Sequence, residues 1–386
     1  MMTPYAKSIC HISSVHAAGD PRVRLKEVRS VSDCYKYAYF VTGDMDAEYK
    51  EEEPKSLKVI KVYPGKKGRL VRIFVTAPRC IFKALRTKSD IYHIHDPELL
   101  LWAWILRLSG SAVVYDIHED YVTSISQKSY IPEIFRSRVG QLFGFLEKLL
   151  SKSFFKVIAE SYYKERFPSA VPILNYPILK DLLPVQAFSP DANSVIYTGN
   201  VTPDRGALLM AWFHQCSERY DVRFIGRCSP DLYKEFSKDS LSQQKNSPQV
   251  EGVGHFVEFS QIIASYAQGN WLAGIAVFPD TEHYRGKELT KFFEYMAVGL
   301  PIIASNFPVW KKLIEDQGVG ICVPPGDNEA VEKALDWLKE YPQEALAMSR
   351  RGKELARTKY SWESQAEKLI DFYQNILDQK KKPSST

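Results

Sequence analysis

The chain has 386 residues, of which 45% are hydrophobic and 25% are charged, and its formal net charge is +5. These proportions exclude a disordered or fibrous protein and predict two or three globular domains with sizeable cores. The six cysteines are scattered and form no C-x-x-C pair, which favours reduced thiols over a disulfide framework or a zinc site.

The apolar segments predict a protein that is neither secreted nor membrane-spanning. The first ten residues lack an apolar stretch of signal-peptide length, and the longest apolar run, 99–106, is too short to cross a bilayer. Together with reduced cysteines, this pattern predicts a cytoplasmic location.

Strand and helix patterns alternate through the first half of the chain, as in a parallel, doubly wound sheet. Short apolar runs predict strands at 8–13, 37–42, 57–62, 91–94, 112–115 and 155–158. Helices are predicted from Arg22 to about Val31, from Pro97 to about Leu108, and from Ile134 to about Ser153.

The alternation lapses between Ile173 and Ser194, where three prolines occur, and we predict the connector between two domains there. Further strands are predicted at 194–197, 222–225, 274–278, 302–304 and 320–323. Helices are predicted from Gly206 to about Ser217, within the segment 286–299, and from Asn328 onwards. Two similar α/β halves predict a cleft between the carboxyl ends of their strands, where open α/β sheets bind ligands.

A basic stretch from Lys55 to Lys88 contains eleven Lys or Arg residues and no Asp or Glu. Its second half interleaves cations with apolar residues. This pattern is typical either of a helix with a solvated basic face or of an amphipathic surface that rests on anionic lipid. Nucleic acid is disfavoured as a partner because no recognition module accompanies the charge.

Two glycine-containing segments of the second half could hold an anion. In the loop 197–206 (YTGNVTPDRG), Gly199 lets the backbone approach a ligand closely, and Arg205 offers a planar cation suited to a diphosphate. The segment 286–305 (GKELTKFFEYMAVGLPIIAS) predicts a helix that ends at a glycine and leads into a buried strand. The free N–H groups of this helix's first turn favour an anion, and Glu294 lies within the helix.

Histidines and acidic residues cluster at the ends of two predicted strands of the first half. They are His93, His95, Asp96, Asp116, His118, Glu119 and Asp120. If the two strands are neighbours, this set could bind a metal. The alternative is that His93 points into the core and that the acids cap the following helices. The D-x-D triplet at 44–46 also matches a metal-binding pattern, although such triplets are common by chance.

Several segments resemble family 4 retaining glycosyltransferases, which have the GT-B fold. KFFEYMAVGLPIIAS resembles their donor-site segment, and YTGNVTPDRG resembles their loop Y-x-G-R-x-(x)-x-x-K-G. HIHDPELLL, VVYDIHEDY and CHISSVHAAGDPRVRLKEVRSV resemble motifs of the members that assemble bacterial polysaccharides. The triplet 175–177 and the segment 360–363 match the family's linker entry and closing segment.

The resemblance implies two Rossmann-like, doubly wound domains that face a central cleft. The first domain, 1–180, would hold the acceptor, and a C-terminal helix at about 364–380 would pack back on it. The second domain, 190–363, would bind the nucleotide-sugar donor.

The resemblance also implies roles for individual residues. The implied catalytic residues are His118, near the anomeric carbon of the donor sugar, Arg205, at the diphosphate, and Glu294, at the ribose hydroxyls. The implied donor-binding residues are Gly199, Asn200, Arg205, Gly226, Lys291 and Glu294. The residues implied to border the acceptor are Asp20, Pro21, Arg22, His95 and Asp96.

The glycine loop departs from the family pattern in its charges. Asn200 stands where the family usually has Arg, and Arg205 replaces a Lys, so one of the two expected cations is missing. Lys291 could contribute a charge, because it fits a sub-branch with P-x-K-x-x-E before Y-M-A, although Leu289 replaces the proline of that pattern.

The carboxylate pair E-x(7)-E of many family members is also incomplete. The position eight residues before Glu294 is Gly286. Glu282 and Glu288 are the nearest substitutes, so the group that reads the hydroxyls of the donor sugar is left open.

These features predict a retaining hexosyltransferase that needs no metal or other cofactor and uses a UDP- or GDP-sugar. Its acceptor would be a glycan or a polyprenyl-linked glycan for capsule, exopolysaccharide or O-antigen synthesis. The stretch 55–88 would rest on the inner face of the bacterial cytoplasmic membrane. Two alternatives remain: a sugar-nucleotide 2-epimerase of the same fold, which needs no acceptor, and a metal-dependent hydrolase that uses the His and Asp cluster.

Overall fold

The structure is a computed structural model of the chain, and it describes residues 5–16, 20–43, 54–63, 68–126, 132–240 and 247–381. The D-x-D triplet 44–46 and part of the basic stretch, 64–67, lie outside these residues. The chain forms two compact domains. The first comprises Met1–Asn175 and Trp362–Thr386, and the second comprises Tyr176–Ser361.

A seven-stranded parallel sheet forms the centre of the first domain. Its strands are β1 (Tyr5–Ser13), β2 (Tyr35–Thr42), β3 (Leu57–Lys61), β4 (Ile91–Ile94), β5 (Ala112–Ile117), β6 (Phe155–Ile158) and β7 (Val171–Pro172). They lie in the order β3-β2-β1-β4-β5-β6-β7. The strands β4 and β5 are buried along their whole length, as expected of apolar runs in a sheet covered on both faces.

Helices connect the strands of the first domain. They are α1 (Arg29–Cys34), α2 (Arg69–Val71), α3 (Ala77–Leu85), α4 (Leu100–Leu108), α5 (Tyr121–Ser126) and α6 (Glu133–Leu150). Wider, π-helical turns at Pro21–Val28 and Arg72–Thr76 lead into α1 and α3, and 3₁₀ turns lie at Pro97–Leu99 and Ser161–Glu165. None of the helices in the described part of the chain is long and apolar enough to cross a membrane.

The last helix of the chain, Trp362–Lys381, packs on the first domain. Trp362 Nε1 donates to Ser30 Oγ at 3.0 Å, and Gln374 Nε2 donates to Tyr35 OH at 2.7 Å. Tyr373, on the same helix, is fully buried. The core of the first domain is therefore completed by a helix that follows the whole second domain in the sequence.

A six-stranded parallel sheet forms the centre of the second domain. Its strands are β8 (Ser194–Thr198), β9 (Asp221–Cys228), β10 (Gln249–Val253), β11 (Ala273–Ala276), β12 (Ile302–Ser305) and β13 (Gly320–Val323), in the order β10-β9-β8-β11-β12-β13. Its helices are α7 (Ala207–Cys216), α8 (Pro230–Ser240), α9 (Phe259–Ala267), α10 (Glu282–Arg285), α11 (Thr290–Val298), α12 (Pro308–Ile314), α13 (Asn328–Glu340) and α14 (Pro342–Thr358).

Both sheets have the topology of doubly wound, nucleotide-binding folds. In the first sheet β1 lies between β2 and β4, and in the second sheet β8 lies between β9 and β11. The strand order therefore reverses beside β1 and beside β8, and ligands of such sheets bind outside the carboxyl ends of the strands at this point. The prediction of two Rossmann-like α/β domains is confirmed.

Several elements of the second domain were not predicted from the sequence: β10, α8, α9, α10 and α12. The strand β10 reads QVEGV, and most of its side chains are only partly buried, so it lacks the apolar run that marks the central strands. Residues 173–193, all of them described, contain no helix or strand, and the second domain begins within them at Tyr176.

Candidate functional site

The loop after β8 is shaped by glycines. Gly199 and Gly206 have φ angles of 96° and 76°, and Gly226, on β9, has a φ of 156°. A Cβ atom at Gly206 would lie 1.9 Å from the Val277 carbonyl oxygen, and one at Gly226 would lie 1.9 Å from the Gly199 carbonyl oxygen. Beside Gly199 the space is open, since no described atom lies within 4 Å of a Cβ built there. A ligand could therefore approach the backbone of Gly199 closely.

Arg205 ends this loop on a short 3₁₀ turn, Pro203–Arg205. Its neighbours include Asp204 and the hydroxyl group of Tyr284, which donates to Asp204 Oδ2 at 2.6 Å. Burial lowers the pKa of Arg205, but its phenol and carboxylate neighbours raise the pKa above the usual value. The loop therefore presents a permanent positive charge.

Lys291 lies in the first turn of α11 and places its ammonium group among aromatic rings. The residue is 8% exposed, and Nζ lies 3.4 Å from the ring centroid of Tyr197 and 5.2 Å from that of Phe278. Among the described residues, Nζ has no hydrogen-bond partner. Burial and the charge of Arg205 hold the pKa of Lys291 well below its usual value, against the opposing effect of Glu294. A buried ammonium group without a hydrogen bond is costly, so an anion at this position would be strongly favoured.

Glu294, one turn further along α11, is held beside the end of β8. Tyr266 OH donates to Glu294 Oε2 at 3.2 Å and shares a hydrogen bond of 2.9 Å with Thr198 Oγ1. The hydroxyl group of Tyr295 accepts a hydrogen bond of 3.2 Å from the Thr198 N–H. Both tyrosines tie α11 to the end of β8, and Glu294 and Lys291 are fixed there as neighbours.

The other predicted donor-side residues lie in different settings. Asn200 is exposed, and its carbonyl oxygen accepts a hydrogen bond of 2.8 Å from Tyr197 OH. Glu282 is exposed at the start of α10. Glu288 is half-buried just before α11, where burial raises its pKa against the opposing effect of Lys359. The structure thus brings Arg205, Lys291 and Glu294 together and leaves the role of the second glutamate open.

A second cluster lies at the carboxyl ends of β1, β4 and β5 in the first domain. His118 Nδ1 shares a hydrogen bond with Asp116 Oδ2 at 3.0 Å, and His118 Nε2 lies 2.9 Å from His16 Nε2. His16 Nδ1 in turn lies 2.8 Å from Asp20 Oδ2, and His16 Nε2 lies 3.3 Å from Asp96 Oδ1. His16 was not selected from the sequence, although it lies within the segment 10–31 that resembles the family, because its contacts with Asp20 and Asp96 appear only in the folded chain.

The charge state of this cluster follows from its pairing. Burial lowers the pKa of His16, but hydrogen bonds with Asp20 and Asp96 outweigh this effect and raise the pKa to about 11. Burial likewise raises the pKa of Asp20, but the hydrogen bond with His16 lowers it to about 2. His16 is therefore an imidazolium ion at neutral pH, at the partly exposed edge of the cluster.

Arg22 is buried on the core side of the cluster and binds Asp116. Its Nε and Nη2 donate to the two carboxylate oxygens of Asp116 at 3.1 and 2.8 Å, and its Nη1 donates to the Ile173 carbonyl oxygen at 3.0 Å. His95 Nδ1 lies 3.2 Å from Asp116 Oδ2. Arg22 is 5% exposed and His95 is 1% exposed. These two predicted acceptor-side residues are therefore buried beneath the surface of the cluster and suited to hold its upper members in place.

Of the other residues predicted for this cluster, some reach the surface and others are buried or cap helices. Asp20 and Pro21 reach the surface, and Asp20 also caps the turn that follows it. Asp96 is buried and accepts a hydrogen bond of 2.5 Å from the Ser14 N–H. Asp120 accepts a hydrogen bond from the N–H of Val122 and so caps α5. This agrees with the alternative interpretation, in which the acidic residues cap the helices that follow the strands.

An apolar pocket opens beside His16 in the first domain. Its volume is about 580 Å³, and its walls come mainly from the segment that leads into α3 and from α4 and α6. Two guanidinium groups line it as well, of which Arg72 Nε lies 3.3 Å from Glu98 Oε1. The lining side chains include Arg69, Arg72, Ile73, Leu101, Phe143 and Leu146. The pocket therefore combines an apolar interior with two guanidinium groups and with the carboxylates of Glu98, Glu119 and Glu147.

Comparison with known proteins finds a family match within the second domain. The family described as Glycosyl transferases group 1 matches residues 290–355, which include Lys291 and Glu294. The chain is 21% identical over 299 residues to the phosphatidyl-myo-inositol mannosyltransferase of Mycobacterium leprae (strain TN), and the match covers 74% of each chain.

Solved structures show the same architecture at low sequence identity. Sucrose-phosphate synthase from Thermosynechococcus elongatus aligns with a TM-score of 0.72 at 16% identity, over 96% of this chain and 99% of that one. Anabaena HepE, solved in complex with UDP-glucose, aligns with a TM-score of 0.69 at 13% identity, over 96% of this chain and all of HepE (100%). These likenesses show that the fold is that of GT-B glycosyltransferases.

The fold and the match at α11 define the class of protein. The chain is a glycosyltransferase of GT-B fold, and its prediction as a hexosyltransferase-type enzyme is confirmed. Its assignment to family 4 and to polysaccharide assembly, and the roles of its individual residues, stay predictions.

Proposed function

We propose that this enzyme moves a hexose, with retention of configuration, from a nucleotide-diphosphate sugar bound by the second domain to a lipid-linked glycan bound by the first domain. The observation that carries the proposal is the gathering of Arg205, Lys291 and Glu294 at the end of β8. A UDP- or GDP-sugar offers a diphosphate for the two cations and ribose hydroxyl groups for the carboxylate.

Lys291 supplies the cation that the glycine loop lacks at Asn200. Its ammonium group is buried, is repelled by Arg205, and has no hydrogen-bond partner among the described residues. A diphosphate between Arg205 and Lys291 would relieve the repulsion and supply hydrogen-bond acceptors to both. The open space beside Gly199 leaves room for the phosphate oxygens, and among the described residues no side chain caps the start of α11.

Relatives support a nucleotide-sugar donor. HepE was solved with UDP-glucose, and the Mycobacterium leprae relative is named as a mannosyltransferase. In this proposal Glu294, held by Tyr266, binds the ribose hydroxyl groups. Glu288 lies closer in sequence to Glu294 than Glu282 does, and it is the candidate for binding the hydroxyl groups of the donor sugar.

The proposed chemistry is electrostatic stabilisation of the leaving diphosphate. Negative charge grows on the leaving oxygen as the glycosidic bond breaks, and preorganised cations in a buried site stabilise that charge strongly. Arg205 and Lys291 perform this task with no metal or other cofactor in the proposed reaction. The acceptor attacks from the face that the diphosphate leaves, and the leaving oxygen takes its proton, which retains the configuration.

The pocket beside His16 supports an amphipathic acceptor. An apolar cavity of about 580 Å³ would hold part of a lipid chain, and Arg69 and Arg72 would face the phosphate groups that link lipid to glycan. His118 and Asp20, which both contact His16 beside the pocket, are proposed to meet the reacting sugars. A polyprenyl-linked glycan for capsule, exopolysaccharide or O-antigen synthesis has this chemistry, and the Mycobacterium leprae relative is named for a phospholipid substrate.

The surface around α3 supports contact with a membrane. Leu70, Phe74 and Phe82 are 71%, 60% and 52% exposed, and they alternate with exposed cations such as Lys83 and Arg86. Large exposed apolar residues beside positive charge suit an interface of anionic lipid. We therefore propose that the enzyme acts from the cytoplasm on the inner face of the membrane.

A thermal-shift screen against UDP-, GDP- and ADP-sugars tests the donor site, because a ligand that binds only the native state raises the melting temperature. The wild type and the control variant Lys312→Met, changed at an exposed residue of α12, should respond to one nucleotide sugar. Lys291→Met should lose that response. If none of the nucleotide sugars shifts the wild type, or if Lys291→Met responds fully, the proposed donor site is wrong.

Product analysis then separates transfer from epimerisation and hydrolysis. With donor alone, a transferase leaves the sugar nucleotide unchanged, whereas an epimerase releases an isomer of it. With a polyprenyl-diphosphate glycan as acceptor, we expect a product in which the anomeric configuration of the donor is kept. An isomerised nucleotide sugar without acceptor would overturn the proposal.

Vesicle co-sedimentation at low salt tests membrane contact. We expect the wild type and Lys312→Glu to prefer vesicles of anionic over neutral phospholipid, and the double variant Lys83→Glu/Arg86→Glu to lose that preference. Equal binding of the wild type to both kinds of vesicle would remove the membrane from the proposal and leave the donor site untouched.

A further inference from the structure

Below the partly exposed histidines, the core of the first domain contains four buried potential metal ligands. They are His11 on β1, Glu27 on the π-helical turns before α1, His93 on β4 and His95 just after β4. One nitrogen or oxygen atom from each lies within 4.8 Å of the others, and every one of the four residues is at most 1% exposed.

Three polar atoms of this cluster have no hydrogen-bond partner among the described residues. They are both carboxylate oxygens of Glu27 and the Nε2 atom of His93. The cation nearest to Glu27 is Arg22, whose Nη2 lies 3.0 Å from Glu27 Oε1, but Arg22 already donates twice to Asp116. One guanidinium group therefore faces two buried carboxylates. Such an imbalance is costly in a buried site, and a second cation would remove it.

The imidazole rings are oriented as in metal centres. His95 Nδ1 lies 3.2 Å from Asp116 Oδ2, and His93 Nδ1 lies 2.5 Å from Tyr373 OH. Metal-binding histidines almost always give their second ring N–H to a carboxylate or another oxygen of this kind. The other nitrogens face one another or lack a partner: His95 Nε2 shares a hydrogen bond of 2.9 Å with His11 Nδ1, and His93 Nε2 has no hydrogen-bond partner among the described residues. Glu27 Oε2 lies 3.7 Å from His93 Nδ1. Ligand atoms around a tetrahedral ion stand about 3.3 Å apart, so a small opening of the pair would admit one.

We propose that the first domain binds one divalent transition-metal ion through His11, Glu27, His93 and His95. Three imidazoles and a carboxylate suit Zn²⁺, Fe²⁺, Ni²⁺ or Cu²⁺, and Zn²⁺ is the first candidate because it is redox-inert and favours four ligands. The ligands are buried, so no coordination position faces a substrate. The ion has a structural role, tying β1 and β4 to the turn that carries Arg22, and this inference goes beyond sugar transfer.

Metal analysis of the full-length protein, purified without a histidine tag or chelator, provides the test. We expect about one equivalent of metal per chain by inductively coupled plasma mass spectrometry. After exchange, Co²⁺ should show the visible ligand-field bands of a four-coordinate site, a readout independent of enzyme activity. Glu27→Gln and His93→Gln should abolish both signals.

His118→Gln is the matched control. His118 belongs to another possible ligand set, with His95 and Asp116, but not to the buried one. This variant should keep the ion if the buried set holds it. The proposal is overturned if His118→Gln loses the metal while Glu27→Gln keeps it. Less than about a tenth of an equivalent in the wild type, with no Co²⁺ bands on titration, overturns it as well. Neither outcome bears on the donor site of the second domain.

Discussion

Replacing Lys291 by Met should make the enzyme more stable and less active. Removing a charge from water costs several kcal/mol, and the contact of Nζ with the Tyr197 ring at 3.4 Å returns about 1 to 2 kcal/mol of that. Met fills a similar volume and packs well against the rings of Tyr197 and Phe278. We therefore expect the free energy of unfolding of the second domain to rise by about 1 to 3 kcal/mol.

The same substitution should damage catalysis, because the ammonium group would meet the diphosphate of the donor. Losing one such charge in a buried site costs about 3 kcal/mol of transition-state stabilisation, or roughly a factor of 10² in kcat/KM. Steady-state kinetics with the donor identified by thermal shift measures this loss, and Lys312→Met is the control. A Lys291→Met variant that is less stable than the wild type, or that keeps normal kcat/KM, would refute the reasoning.

The stability gain should also depend on pH. The pKa of Lys291 is depressed in the folded state, so the unfolded chain binds more protons at this residue than the folded chain. The penalty is complete below the folded pKa and disappears as the pH rises to the unfolded value of 10.5. Calorimetric unfolding should therefore show the advantage of Lys291→Met shrinking as the pH rises through the folded pKa toward 10.5.

Three further substitutions test the two domains. Arg205→Ala should lower kcat by two to three powers of ten, about 3 to 4 kcal/mol, and near-normal kinetics would remove Arg205 from the mechanism. Gly206→Ala places a Cβ atom 1.9 Å from a backbone oxygen and should lower the free energy of unfolding by about 3 kcal/mol or more. The control is Gly110→Ala, at a φ of 83° with no atom within 4 Å of the new Cβ, which should cost about 1 kcal/mol. Equal costs would contradict the packing argument. His16→Gln removes a group whose folded pKa is raised to about 11, so its stabilisation is complete below the ordinary value of 6.5 and fades as the pH rises toward 11. Unfolding free energies should show a loss of about 2 kcal/mol near pH 6 and a smaller loss near pH 10, and a loss independent of pH would speak against the ion pair.

Local patterns carry enough information to predict the fold of this chain. The central strands are continuous apolar runs, and β4, β6 and β13 lie where the sequence places them. Gly199 and Arg205 could likewise be selected from the sequence, because backbone freedom and charge are properties of single residues, whereas Glu294 was selected because its segment resembles the donor-site segment of family 4 glycosyltransferases. Their gathering at the end of β8 follows from the parallel topology, in which carboxyl ends of strands share an edge.

Contacts between distant segments could not be predicted in this way. Arg22 pairs with Asp116 across 94 positions, and no local pattern distinguishes this arginine from a solvated one. His16 acquires its charge only because Asp20 and Asp96 both meet it in the folded state. The buried ammonium group of Lys291 is a similar case, since helical periodicity does not show that aromatic rings close around it.

The discontinuity of the first domain has a consequence for biosynthesis. Residues 176–361 form a continuous domain that can fold as soon as it leaves the ribosome, whereas the first domain waits for the helix Trp362–Lys381. Until then the cavity that Tyr373 fills is open, and the apolar surface beneath the helix is available to chaperones and proteases. A premature stop codon near residue 361 would therefore leave the second domain able to fold, whereas the first domain, although translated earlier, would lack the helix that completes its core.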